Sequence, residues 1–298
     1  MSADAITDWR KHLAACARRA CLLEATARKP GNVHPEASYP DLCYDDFVRS
    51  ADAIAPALAN APGQPVGQTI LDAVLATQRT VGRNTNLGIV LLIAPLAAVP
   101  QNQTLRDGIA PVLRSLTQTD AALVYRAIRA AQPGGMGNVE DQDVADEPTG
   151  TLVDVMRLAA ERDAIARQYS NDFDDVLTFG LPTLYELAGE RAFDARWEEV
   201  VIGLQLRWMA MYPDTLIARK RGGREAEESA GMAAAVLDAG LFASDEGRRR
   251  LKRLDEWLRA EGNSRNPGTT ADLVTACLFA ALREGVISDG PFDLKKSP

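Results

Sequence analysis

With 298 residues, the chain can bury a substantial hydrophobic core as one large domain or two small ones. Its residues are 46% hydrophobic but only 6% aromatic, which favours packed aliphatic helices over an aromatic-rich β-sandwich. Lysine and arginine number 33 against 41 acidic residues, and the net charge of −8 argues against a general nucleic-acid binder. A small anionic substrate, held by a few local cations, is compatible with this charge.

The four cysteines are far apart and form no C-x-x-C pair, so neither a zinc cluster nor a disulfide framework is indicated. The first residues carry Asp4, Asp8 and Arg10 and lack the basic-then-apolar order of an export signal. The longest apolar run, 87–100, contains Pro95 and falls short of the roughly 20 residues of a membrane span. We therefore expect a cytoplasmic protein with reduced thiols and with no membrane or nucleic-acid partner.

Apolar residues recur at helical spacing along most of the chain. They predict a first helix that runs to about Arg28 and is ended by Pro30-Gly31. A second helix is expected at 45–58, and 88–98 is apolar nearly all round, as in a central helix. Further helices are predicted at 174–190, 195–211, 225–241, 245–260 and 270–284. Since no alternating run, repeat or linker is evident, the sequence predicts one all-α, bundle-like domain over residues 1–298.

Five short segments carry polar residues and glycines that helix packing alone does not require. They are E-A-T-A-R-K-P-G-N-V at 24–33 followed by D-D-F at 45–47, G-R-N-T-N-L-G at 82–88, G-G-M-G at 134–137, D-T-L-I-A-R-K at 214–220, and N-P-G-T-T-A-D-L at 266–273. In this order, over residues 24–273, they resemble the triphosphoribosyl-dephospho-CoA synthase family. That family makes the prosthetic-group precursor of citrate lyase and malonate decarboxylase.

The resemblance implies an all-α enzyme that transfers a triphosphoribosyl unit from ATP to the ribose 2′-hydroxyl of 3′-dephospho-CoA and releases adenine. The N-T-N-L-G segment is nearer to members from methanogenic archaea and from bacteria with tetrahydromethanopterin-type cofactors. Citrate-lyase-type members have His-Lys where this chain has Asn86-Leu87, a change that would alter contact with a polyphosphate. Two alternatives stay open: a related step in tetrahydromethanopterin or methanofuran assembly, and a non-catalytic helical ligand-binding protein.

The residue types suit this chemistry. Cleavage of an N-glycosidic bond passes through a cation-like sugar, which carboxylates can stabilise while accepting a proton from the attacking hydroxyl. We expect helix ends to gather these residues around one cleft, with catalytic roles for Glu24, Lys29, Asp46, Asp214 and Asp272. Mg²⁺ commonly joins triphosphate oxygens to one or two carboxylates, and Asp214 and Asp272 are its predicted ligands.

Cations and backbone N–H groups at helix starts hold phosphates, which guides the prediction of substrate contacts. The predicted substrate-binding residues are Asn84, Thr85, Asn86, Gly88, Gly134, Gly135, Thr215, Lys220 and Gly268. Nucleotide-type small molecules are the expected partners. The oligomeric state stays open, with a homodimer as one option.

Structural roles compete with the catalytic ones for the charged residues. Asp272 follows Thr269 in a T-x-x-D arrangement that is close to a capping box, whereas Asp214 shows no such motif. Lys29 could merely complement the dipole of the first helix, and Glu24 could lie on a solvated face.

The predicted binding residues also have structural alternatives. Asn84-Thr85 could cap the apolar helix, and Lys220 could belong to a solvated run of charge. The glycines at 134–137 could form a plain loop.

Overall fold

The computed structural model of the chain describes residues 3–133, 143–189 and 193–287. Within these ranges it contains two short 3₁₀ segments, one π-helical turn and fourteen α-helices, and two isolated bridges are the only β-type pairing. The α-helices are α1 (Ala3–Thr26), α2 (Tyr44–Ala59), α3 (Val66–Val81), α4 (Leu87–Ala98), α5 (Leu105–Arg114), α6 (Gln118–Ala131), α7 (Leu152–Ala159), α8 (Ala164–Ser170), α9 (Leu181–Ala188), α10 (Phe193–Met211), α11 (Thr215–Arg221), α12 (Gly223–Asp238), α13 (Asp245–Arg259) and α14 (Gly268–Arg283). The all-α prediction is confirmed.

Two apolar helices, α4 and α14, form the centre of the structure. In α4 every residue from Leu87 to Ala97 is buried, as its uniform apolar sequence predicts. Helix α14 is buried almost as completely and packs against α4, α1 and α10. The buried apolar side chains of the described residues form one contiguous cluster, to which helices from both halves of the chain contribute. This is the arrangement that a single domain requires, and the domain boundary of 1–298 stays a prediction.

A buried tyrosine compensates for the proline inside α4. Pro95 has no N–H to donate to the carbonyl of Leu91, one turn earlier. The hydroxyl of Tyr169, on α8, donates to that carbonyl at 2.7 Å. The central helix therefore continues through Pro95 with its freed carbonyl satisfied, and α8 is fixed against α4.

The helix predicted at 174–190 differs from the observed structure. It is divided into a π-helical turn, Asp175–Gly180, and α9. Pro182 cannot donate to the carbonyl of Thr178, so an unbroken α-helical ladder is impossible at this point. No helix within the described ranges is both long and apolar enough to cross a membrane.

Candidate active site

A cleft of about 1450 Å³ lies among the ends of several helices. Nine of the residues predicted from the sequence line it: Glu24, Asn84, Thr85, Asn86, Gly88, Thr215, Lys220, Gly268 and Asp272. Lys29, Asp46 and Asp214 lie outside this lining. Gly134 and Gly135 fall outside the described residues, so their predicted contact with substrate stays a prediction.

Asp272 projects from the start of α14 into the cleft beside Gly88, at the start of α4. A Cβ atom on Gly88 would lie only 2.0 Å from Oδ2 of Asp272, a distance that real Cβ contacts do not reach. Position 88 therefore requires glycine because the carboxyl group of Asp272 occupies the space of a side chain. Gly88 therefore has a packing role in addition to the substrate contact that was predicted for it.

The environment of Asp272 disfavours its charged form. Burial raises the pKa of this carboxyl group well above its ordinary value, and the negative charges of Glu24, Asp214 and Asp163 raise it further. Arg219 opposes the rise. The alternative capping role is not observed, because α14 begins at Gly268 and Thr269 already lies inside the helix without capping it. Asp272 is thus a half-buried acid in the wall of the cleft, in surroundings that favour its protonated form.

Glu24 is the second acidic residue of the cleft; it is buried, and Lys29 pairs with it. Glu24 is 4% exposed and Lys29 is fully buried. The ammonium of Lys29 lies 2.8 Å from Oε1 of Glu24 and also donates to the main-chain carbonyl of Glu24, in the last turn of α1. Glu24 is therefore not on a solvated face. Lys29 both satisfies a carbonyl at the helix end and fixes the carboxylate.

Asn84 and Asn86 organise the start of α4. Oδ1 of Asn84 accepts from the backbone N–H of Leu87 at 3.1 Å, which is the capping role considered as an alternative. Oδ1 of Asn86 accepts from the hydroxyl of Thr77 at 3.0 Å, and Asn86 is 5% exposed. Its Nδ2 has no hydrogen-bond partner within the described part of the chain. A cavity of about 10 Å³, the size of one water molecule, lies between Asn86 and Glu24.

The sequence indicated no capping motif at Asp214, and the structure corrects this. One oxygen of Asp214 accepts from the backbone N–H groups of Leu216 and Ile217 at the start of α11. The other accepts from the N–H and the hydroxyl of Thr270, in α14. Burial raises the pKa of Asp214, and these hydrogen bonds oppose the rise. With two bonds on each oxygen, Asp214 has a clear structural role, and the metal binding and proton transfer predicted for it stay predictions.

Asp46 also has a structural position. Its Oδ2 accepts from the backbone N–H of Cys43 at 3.1 Å in a capping box at the start of α2. The guanidinium of Arg83, which does line the cleft, is 3.8 Å from the same oxygen. Asp46 therefore caps α2 and lies next to a cation of the cleft, and its predicted direct role in catalysis stays a prediction.

Cations line another part of the cleft. They include Lys220, which was predicted, and Arg83, Arg162, Arg167 and Arg219, which were not among the predicted site residues. Burial lowers the pKa of Lys220, and the neighbouring charge of Arg219 lowers it further. Two cations at close quarters provide a natural position for a phosphate group. Arg83 lies inside the G-R-N-T segment and was available to sequence reasoning, whereas nothing in the sequence pattern marks Arg167.

Side chains join the separate sequence segments to one another. The amide of Asn32 donates to Oδ1 of Asn266 at 2.7 Å, linking the two Pro-Gly segments. The hydroxyl of Thr215 donates to that of Thr269 at 3.2 Å, linking α11 to α14. Four of the five segments therefore meet around the start of α14. Convergence of this kind favours an enzyme over a scattered set of surface charges.

The described residues contain no group of three or more His, Cys, Asp or Glu side chains suited to hold a metal ion. A magnesium ion that arrives with a triphosphate needs only one or two protein carboxylates, since phosphate and water oxygens complete its coordination. Glu24 and Asp272 both line the cleft, but the surroundings of Asp272 disfavour the charged form that a metal ion needs, so Glu24 fits that smaller requirement better. Asp214 lies outside the cleft lining, and the metal roles predicted for Asp214 and Asp272 stay predictions.

Comparison with known proteins agrees with this geometry. A family model described as ATP:dephospho-CoA triphosphoribosyl transferase matches residues 10–289. A Pseudomonas putida protein named "Probable 2-(5″-triphosphoribosyl)-3′-dephosphocoenzyme-A synthase" is 30% identical over 288 residues, covering 90% of this chain and 93% of that protein. A protein of the same name from Pseudomonas syringae is 35% identical over 112 residues, covering 38% of this chain and 37% of that protein.

A solved structure titled "Crystal structure of putative triphosphoribosyl-dephospho-coA synthase from Archaeoglobus fulgidus" has the same fold. Its TM-score is 0.61 at 24% identity, with 79% of this chain and 98% of that chain covered. These matches support neither the one-carbon cofactor alternative nor the non-catalytic one. The resemblance seen in the sequence is confirmed, and the chain belongs to the CitG family of ATP:dephospho-CoA triphosphoribosyl transferases.

Proposed function

We propose that the cleft transfers the triphosphoribosyl unit of ATP to the ribose 2′-hydroxyl of 3′-dephospho-CoA, with Asp272 and Glu24 as the catalytic residues. The observation that carries this proposal is a pair of carboxyl groups in one cleft, a buried Glu24 and a half-buried Asp272, held in different environments. Glu24 is ion-paired with Lys29, and Asp272 has a raised pKa. Carboxyl groups with such contrasting surroundings commonly divide between charge stabilisation and proton transfer.

The bond changes can be divided between these two groups. The bond between C1′ and N9 of ATP breaks, and its electron pair leaves with adenine. Asp272 donates its proton to the departing base, and the resulting carboxylate accepts the proton of the acceptor's 2′-hydroxyl as that oxygen forms the new bond to C1′. Glu24 faces the positive charge that develops on the ribose ring, where a fixed carboxylate stabilises the transition state.

The remaining predicted residues support this machinery in our proposal. Lys29 positions Glu24, and Asp214 joins the helices that carry Lys220 and Asp272. Lys220 and Arg219 bind the triphosphate. Magnesium bound to that triphosphate would supply charge neutralisation, and Glu24 would contribute a carboxylate ligand to it.

The test is incubation of the protein with Mg-ATP and 3′-dephospho-CoA, followed by chromatography for free adenine and mass spectrometry of the acceptor. We expect adenine and the triphosphoribosylated acceptor in equal amounts, with neither formed by Asp272→Asn. Folded wild-type protein that binds both substrates but forms no adenine would refute the proposal. Adenine without the modified acceptor would indicate hydrolysis of the glycosidic bond instead of transfer.

A further inference from the structure

One wall of the cleft is apolar, in contrast to the charged part around Lys220. The wall is formed by side chains of α6 and α7, namely Val124, Ile128, Val155, Met156, Leu158 and Ala159. We refer to these six residues as the α6–α7 wall. The side chain of Leu158 is 55% exposed, which is unusual for leucine beside an otherwise buried apolar surface.

Leu158 is distinguished by its position. The large hydrophobic side chains that are exposed in the described part of the chain are Ile6, Leu158, Tyr185, Met211 and Val286. Of these, Leu158 alone lines the cleft. Exposed apolar residues are common on protein surfaces, but an apolar surface continuous with a catalytic cleft is typical of a ligand-binding surface.

The volume of the cleft suggests more than one ligand. At about 1450 Å³ it exceeds the roughly 300–1,000 Å³ of most sites for a single small molecule. ATP and 3′-dephospho-CoA share an adenosine unit and phosphate groups, which suit the polar part of the cleft. They differ in the long, uncharged arm of the acceptor, a chain of methylene groups, amides and a dimethyl-substituted carbon.

We infer that the α6–α7 wall binds the uncharged pantetheine arm of the acceptor, with Leu158 as its outermost contact. This inference rests on the proposed function and adds a position for one substrate. Contact with the arm distinguishes two otherwise similar nucleotides, because ATP has no counterpart of this arm. The acceptor, and not a second ATP, is thereby oriented with its 2′-hydroxyl toward the donor.

Calorimetry without turnover tests this inference directly. We expect wild-type protein to bind 3′-dephospho-CoA about tenfold or more tightly than ADP, which lacks the arm, since small apolar contacts in a pocket are worth roughly 10–200-fold. In Leu158→Glu this preference should disappear while ATP affinity is retained. Leu158→Met, which conserves volume and polarity, should keep it.

Met211→Glu is the matched control, because Met211 is 57% exposed and lies outside the cleft lining. It should leave the preference unchanged. An equal affinity of wild-type protein for the two nucleotides would overturn the inference, as would a preference that survives in Leu158→Glu. Failure of the proposed function is distinguishable, because adenine release is measured separately from binding.

Discussion

The carboxylate of Asp214 binds the backbone N–H and the hydroxyl of Thr270 at 2.7 and 2.8 Å, and so fastens the start of α11 to the start of α14. Its other oxygen accepts from two N–H groups of α11. These two helices carry Lys220 and Asp272 into the cleft. A residue outside the cleft thus fixes the distance between a cation and an acid within it.

Asp214→Asn should destabilise the protein. An amide can still cap α11, but its NH₂ group or its single oxygen cannot accept all four hydrogen bonds. A buried donor left without a partner costs about 1–3 kcal/mol, so the free energy of unfolding should fall by that amount in urea titrations. Asp245→Asn, at an exposed pair with Arg248, should change it by less than about 0.5 kcal/mol. Equal stability of the two variants would contradict this account.

Asp272→Asn should separate activity from stability. Turnover should fall by about 10²-fold or more if Asp272 transfers the proton. Stability at neutral pH should rise, because asparagine removes an acid whose charged form is disfavoured by its surroundings. A fall in both quantities would show that Asp272 mainly supports the fold.

The pH dependence of that stabilisation has a defined sign. Since the native pKa of Asp272 lies well above 3.8, its value in the unfolded chain, the native state retains a proton that the unfolded chain loses. The contribution of Asp272 to stability is therefore complete below about pH 3.8 and is lost as pH rises through the native pKa. Thermal melts of the two proteins should coincide near pH 3.8 and diverge toward neutral pH, with Asp272→Asn the more stable.

Much of the architecture could be predicted from the sequence, because helical spacing and Pro-Gly turns are local signals. The position of the caps was less predictable. Asp272 follows Thr269 in a pattern like the real capping boxes at Thr117 and Thr151, but α14 begins too early for Thr269 to cap it. The T-x-x-D pattern marks two residues that could form a capping box, but tertiary packing decides at which residue the helix begins.

The cleft was predictable only in part. Its acids and asparagines lie in recognisable segments. The buried ion pair of Lys29 with Glu24, in contrast, depends on how the chain folds back after α1. The apolar wall with Leu158 gave no separate signal, because its residues have ordinary helical spacing. Local patterns therefore predict which residues matter more reliably than what each one contacts.

Gly88→Ala should reduce both stability and turnover. The added Cβ would lie 2.0 Å from the carboxyl oxygen of Asp272, so the acid or α4 must move, at a typical cost of about 1–3 kcal/mol. Gly231→Ala, in α12, is a matched control with no atom within 4 Å of the new Cβ. It should stabilise the protein by roughly 0.5–1 kcal/mol through helix propensity, with unchanged turnover. Identical unfolding midpoints and rates for the two variants would refute the close approach of Gly88 and Asp272.

Lys220→Gln should weaken nucleotide binding. Burial and then the neighbouring charge of Arg219 lower the pKa of Lys220, and a triphosphate beside the two cations would favour the charged form of Lys220. Millimolar Mg-ATP should raise the melting temperature of wild-type protein by mass action, and Lys220→Gln should show a clearly smaller rise. Lys252→Gln, at an exposed pair on α13, should respond as wild type does. Equal shifts in all three proteins would remove the phosphate-binding role of Lys220.

The ion pair of Lys29 and Glu24 provides a test that distinguishes positioning from catalysis. Lys29→Met leaves the buried Glu24 carboxylate without its partner, which should lower the free energy of unfolding by about 3–5 kcal/mol. Adding Glu24→Gln removes the orphaned charge and should restore most of that loss. Activity should not return, because the carboxylate that faces the ribose is absent. Both single variants and the double variant should be measured in two assays. Urea denaturation reports the effect on stability, and adenine release reports the effect on catalysis. A double variant that recovered turnover together with stability would exclude a catalytic role for Glu24.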